Sequence, residues 1–183
     1  DYRSSRGLGD VYKRQILPIS FNETKEASKM NIATRLSALN FLDNGGAIGV
    51  FPGGTVSTAQ SPFGVPMDPG WRSFTAKMIT RSDAQVVPIF FEGHNSRLFQ
   101  VASHIHYNLR MGLLIKEFKS KVGNPVKIAI GNPLSDTAIK SRSGNPRILM
   151  DFLREETYKL SRTPLDNFNY CLLYTSPSPR DDR

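Results

Sequence analysis

Apolar residues in this chain gather into short runs and amphipathic stripes, separated by breaks rich in glycine and proline. That alternation is the pattern of an α/β domain. Ile16-Leu17-Pro18-Ile19-Ser20-Phe21 reads as a short strand, with Pro18 placing it at an edge or a strand start. Asn22 to Thr24 offers capping side chains for a helix over Lys25–Leu42. Met30, Ile32, Leu36, Leu39 and Leu42 give that helix an apolar stripe, while Lys25, Glu26, Lys29 and Arg35 face water. Asn44-Gly45-Gly46 closes it, and Ala47–Phe51 follows as a buried strand. Strand, helix and strand with short connections form a βαβ unit, which predicts parallel pairing and a right-handed crossover.

Thr58–Gly70 is a polar loop carrying Pro62, Pro66 and Pro69, long enough to be expected as a flap near a site. Trp71–Thr80 reads as a helix, on which Arg72 and Lys77 are either substrate-facing cations or solvated surface charges. Gln85–Phe91 is a dense β-branched and aromatic run, a buried strand. Asn95–Val122 reads as one long helix or two. There Leu98, Phe99, Ile105, Leu109, Leu113 and Phe118 alternate with Arg97, Arg110, Lys116, Lys119 and Lys121. Such a stripe faces a core or lies in a membrane interface. Val126–Ile130 is a further strand with its turn at Gly131-Asn132-Pro133, and Arg142–Asn145 is a polar linker. Pro146–Leu160 makes the last helix, with Ile148, Leu149, Phe152 and Leu153 inward. The expected architecture is a mostly parallel sheet flanked by helices.

The chain has 183 residues and a net charge of +8. That length suffices for one domain with a sizeable core. Residues 1–15 and 172–183 lack apolar periodicity and resemble translated adapter sequence, so both are expected to be non-native tails around a domain at 16–171. The tails hold six Lys/Arg and four Asp/Glu, which leaves +6 on the domain. A basic surface suits phospholipid headgroups, acidic carrier proteins, coenzyme A or nucleic acid; it also serves plain solubility. The single cysteine, Cys171, rules out an internal disulfide and fits a reducing compartment. No apolar run approaches the roughly 20 residues needed to span a bilayer, so any membrane role is expected to be peripheral or to depend on a segment outside this sequence.

The chemistry concentrates where the Ala47–Phe51 run stops. Pro52 has no N–H for a ladder, and Gly53-Gly54 reaches backbone angles closed to other residues. Thr55, Ser57 and Thr58 then set hydroxyls beside the amides of that turn. Such a corner is either a simple chain reversal or a pocket of N–H and O–H donors for an anion. It matches neither the P-loop nor the dinucleotide fingerprint.

Phe51-Pro52-Gly53-Gly54-Thr55-Val56-Ser57 resembles the F-P-E-G-T-R-S block of the glycerolipid and lysophospholipid acyltransferases. Val86-Val87-Pro88-Ile89 resembles that family's later V-P-hydrophobic block. The run from Ile16 to about Leu134 looks most like a bacterial branch that includes lyso-ornithine-lipid acyltransferases. Gly53 stands where the family usually has Glu, and Val56 where it has Arg. The resemblance implies a glycerol-3-phosphate-acyltransferase-like fold. It also implies transfer of a fatty acyl group from acyl-CoA or acyl carrier protein, as co-substrate, to a lysolipid hydroxyl, in phospholipid or ornithine-lipid synthesis. Pro52, Gly53, Gly54, Thr55, Ser57 and Pro88 are then the substrate-binding residues, and no cofactor is needed. The implied location is cytoplasmic, peripheral to the inner membrane.

The family's general base is the His of an H-x-x-x-x-D motif. Phe99, Leu109 and Met111 stand five residues after His94, His104 and His106, so the motif is absent and no catalytic residue is expected here. The expectation is a domain that begins downstream of that motif, keeps the acceptor-binding part and is itself inactive. His94, at a strand end, is either a surface residue or a substitute base. The H-x-H pair at His104 and His106 diverges by about 200° on a helix, which is poor for chelation, so no metal is expected. The alternative to an enzyme is a basic, non-catalytic module that binds anionic lipid headgroups at a membrane surface. Nucleic acid is not an expected partner, because no helix-turn-helix or RNA-binding aromatic motif appears.

Overall fold

In a computed structural model, which describes residues 17, 19–20 and 24–162, Thr24 caps the first helix by accepting the Ala27 N–H. This helix, α1 (Lys25–Asp43), ends at Asn44, followed by Gly45 at φ 79°. The expected Ile16–Phe21 strand lies largely outside the described residues; of those described, Leu17, Ile19 and Ser20 are not in a strand. The Ser20 backbone instead exchanges two hydrogen bonds of 2.8 Å with the Asn31 side chain on α1. Ala27, Thr34 and Ala38 are the buried residues of α1. Met30, Ile32 and Leu36, expected inward, are exposed. A helical period identifies an apolar face but not whether a neighbour covers it.

The chain divides into two compact units, one with the residues up to Gly49 together with Arg81–Ala84, the other with Val50–Thr80 and the residues from Gln85 onward. The second unit carries the remaining elements: α2 (Ser73–Ile79), β1 (Ile89–Phe91), α3 (Arg97–Ile105), α4 (Tyr107–Lys121), β2 (Ile128–Ile130), α5 (Asp136–Lys140) and α6 (Pro146–Tyr158). Asn95–Val122 is thus two helices, broken at His106, whose backbone is extended (φ −157°, ψ 138°). The core forms where α6 meets α2: Leu149, Met150 and Leu153 close on Ala76 and Ile139, with Trp71, Val86 and Phe152 around them. Full burial of an aliphatic side chain contributes about 1.5–3 kcal/mol, so this cluster is the main anchor of the unit. Ile148, expected inward, is exposed at 53%.

The expected mostly parallel sheet is corrected by the pairing. Among the described residues the one sheet has two strands, and they run antiparallel, with Ile89 opposite Ile130 and Phe91 opposite Ile128. Flanking bonds extend the ladder, from Leu134 N–H to Val86 O and from Glu92 N–H to Lys127 O, each 2.9 Å. Ala47–Phe51 is not a strand, and Ala47, Gly49, Val50 and Phe51 are exposed. The physical reason is that an apolar run becomes a strand only when another strand takes its N–H and C=O groups. Val126–Ile130 finds that partner in β1; the 47–51 run has none among the described residues.

Candidate functional site

The Pro52-Gly53-Gly54 corner is an ordered turn in which Gly54, at φ 63°, donates its N–H to Phe51 O at 3.3 Å. That φ is left-handed and favours glycine. The carbonyl of Pro52 accepts the Arg72 N–H at 3.3 Å, which ties the corner to the start of α2. Gly53 is buried and faces Asp68, with a Cβ position 3.4 Å from the Asp68 Cγ.

Asp68 is the hub beneath the corner. Its carboxylate accepts hydrogen bonds from the Ser57 hydroxyl and, at 3.1 Å, from Trp71 Nε1. Its N–H donates to the Tyr158 hydroxyl at 2.8 Å, and its carbonyl accepts from Arg154 at 2.6 Å. Arg154 is only 1% exposed and also lies over the Tyr158 ring, 5.6 Å from its centroid. Burial, then the neighbouring Asp68 charge, pushes the Tyr158 hydroxyl up to about 12, although the Asp68 N–H, Arg154 and Ser57 act in the opposite sense. Tyr158 is therefore a neutral phenol at physiological pH.

The corner thus has two sides. Its inner side is closed, because Ser57 gives its hydroxyl to Asp68. Its outer side is open: Gly54 and Thr55 are exposed, and among the described residues the Thr55 hydroxyl has no hydrogen-bond partner. Phe51, 77% exposed, meets the ring of Phe91 at 5.7 Å between centroids. This contact joins the corner to the bare face of the sheet, where Ile89, Phe91, Ile128 and Ile130 are all exposed and share one side by register.

Pro88 does not belong to this group. It is buried against Gly131, whose N–H donates to the Pro88 carbonyl at 2.9 Å. A Cβ at Gly131 would come within 2.9 Å of the Pro88 ring. Pro88, Gly131, Leu134, Phe152 and Lys159 line a separate cavity of about 380 Å³, to which none of the residues from Pro52 to Ser57 contributes.

The Thr58–Gly70 loop is a folded flap, closed by backbone bonds between Thr58 and Met67. Helix α3 grips it: buried Gln100 accepts the Ala59 N–H at 2.9 Å, His104 Nε2 donates to the Ala59 carbonyl at 2.9 Å, and Arg97 reaches Gly64 O at 2.7 Å. His94 pairs with the Asn95 carbonyl and His106 caps α4, so each histidine's partner is backbone. The arrangement offers a hydroxyl and exposed backbone beside an apolar shelf. Among the described residues no group of three His, Cys, Asp or Glu is placed to hold a metal ion.

Asp68, Trp71, Arg154 and Tyr158 escaped the reading of the sequence. A usable signal existed on α6, where Met150, Arg154 and Tyr158 recur every fourth residue and so put an arginine within an apolar stripe.

The chain belongs to a family of acyltransferases: the family's model, described as Acyltransferase, matches residues 13–167. Neither a curated protein nor a solved structure matches the chain.

Proposed function

We propose that this chain supplies the acceptor-binding part of an O-acyltransferase. The enzyme moves a fatty acyl group from acyl-CoA or acyl carrier protein to the hydroxyl of a lysolipid at the cytoplasmic face of a membrane. In this reaction the thioester C–S bond breaks, an ester C–O bond forms, and the hydroxyl proton leaves as the thiol departs. A lysolipid has a polar head and a long apolar tail, and needs both kinds of surface side by side.

The observation that carries the reading is the Phe51–Phe91 contact, which sets the exposed Gly54 backbone and the Thr55 hydroxyl next to the apolar sheet face. The head lies against Gly54 and Thr55; the tail runs over Phe51, Phe91, Ile89 and Ile130. The resemblance of the corner to the glycerolipid acyltransferase block supports the same placement. Pro52, Gly53 and Ser57 act from beneath, by fixing the turn on Asp68, and Pro88 shapes the strand.

The test uses Thr55→Val and Phe91→Ser, neither of which touches the Asp68 hub. Lysolipid binding is measured for each in this chain, and acyl transfer in the enzyme whose acceptor-binding part it supplies. A lost head contact is expected to weaken acceptor binding up to about tenfold. Removing the aromatic shelf is expected to weaken it by at least that much. Unchanged acceptor binding and transfer in both variants overturns the assignment.

A further inference from the structure

Helix α4 packs on α3 but buries little of itself. Of its fifteen residues only Glu117 is buried, held by the Ser96 hydroxyl and, at 3.0 Å, by the Ser96 N–H. Arg110 fixes the same inner side, reaching Val56 O at 3.4 Å and lying over the Phe99 ring. At about 100° per residue, Tyr107, Met111, Ile115 and Phe118 fall within an arc of about 80° on a different side, and Val122 continues it at the C-cap. Their exposures are 69, 43, 63, 71 and 67%. This is a continuous apolar stripe left in water.

Its flanks are basic. Lys119 stands about 40° beyond one edge of the stripe and Lys121 about 40° beyond the other, with Lys116 further round. The helix carries four cations and one acid, and that acid is the buried Glu117. We infer that the outer face of α4 docks on an anionic lipid bilayer, with Tyr107, Met111, Ile115, Phe118 and Val122 in the acyl boundary and Lys116 and Lys119 among the phosphates. An apolar stripe edged by lysines suits the interfacial plane, since lysine stems lie along apolar surface while their ammonium groups stay at headgroup level. A second copy of the chain fits less well, because a two-fold contact sets this basic helix against its own duplicate. The inference goes beyond acceptor binding and does not depend on it.

The test is sedimentation of the full chain with phosphatidylcholine vesicles, with and without phosphatidylglycerol. The chain is expected to bind only the vesicles that contain phosphatidylglycerol, and less as salt rises. The double variant Ile115→Ser/Phe118→Ser removes two exposed anchors and is expected to lower partitioning at least tenfold. Lys116→Glu/Lys119→Glu is expected to abolish the preference for phosphatidylglycerol. A Phe118→Trp variant reports depth directly, by a blue shift of the added emission on mixing with anionic vesicles. Undiminished binding by both double variants, or no blue shift, overturns the inference. So does a dimer in light scattering that Ile115→Ser/Phe118→Ser dissolves, which assigns the stripe to self-association.

Discussion

Helices α4 and α6 have similar lengths, and both carry apolar residues at helical spacing, yet they do opposite things with them. Helix α6 buries Leu149, Met150, Leu153, Arg154 and Thr157, and its far end holds the Asp68 hub through Arg154 and Tyr158. Helix α4 buries one residue, Glu117, and turns Ile115 and Phe118 to water. One helix makes the core and positions the corner; the other is fastened by a polar clasp and keeps its apolar stripe free. An apolar stripe is therefore a capacity for burial, and the neighbour decides whether it is spent inside the molecule.

The largest expected effect lies on α6. Leu149→Ala leaves a cavity in the core and is expected to cost about 2–5 kcal/mol in denaturant unfolding. If that cost falls below about 1 kcal/mol, α6 is not the anchor and the contrast breaks. High pH probes the same helix through Tyr158. Its folded value, about 12, lies above its ordinary 10.0, so the folded state holds the proton more tightly. The stability this contributes is full below pH about 10 and is lost as pH rises toward about 12. Tyr158→Phe is expected to flatten that loss in an unfolding series against pH.

Helix α4 is probed at its clasp. Burial pushes the Glu117 carboxyl up, but the Ser96 hydrogen bonds with the Lys121 and Lys116 charges outweigh it and hold the group below its ordinary 4.5. The resulting stability is present above that value and lost as pH falls through the lowered one. Glu117→Gln is expected to cost about 1–2 kcal/mol at neutral pH and to weaken this acid dependence. Hydrogen exchange is expected to rise at the start of α3, where Ser96 caps the helix. The smallest effect belongs to the outer stripe. Ile115→Ala is expected to change stability by less than about 0.5 kcal/mol in solution. A cost near that of Leu149→Ala shows that the stripe is covered after all.

Local rules made much of the chain legible in advance. The helices over 25–43, 73–79 and 146–158 follow from periodicity and caps, with Thr24 and Asn145 as side-chain caps. The proline-glycine corner was visible because proline and glycine restrict or free the backbone whatever surrounds them, and Gly54 indeed takes the left-handed angle. The Asp68 hub was not, because Tyr158 and Arg154 lie 90 and 86 residues from Asp68 along the chain.

The amino-acid order alone therefore determined the helices over 25–43, 73–79 and 146–158, the corner and the basic charge. Tertiary structure decided the antiparallel partner of β1, the placement of Pro88 away from the corner and the donation of the Ser57 hydroxyl to Asp68. It also decided which apolar stripes are buried. The reason is physical: propensity and capping act within a few residues, whereas strand pairing, burial and hydrogen bonds to a buried carboxylate depend on which distant segments arrive beside them.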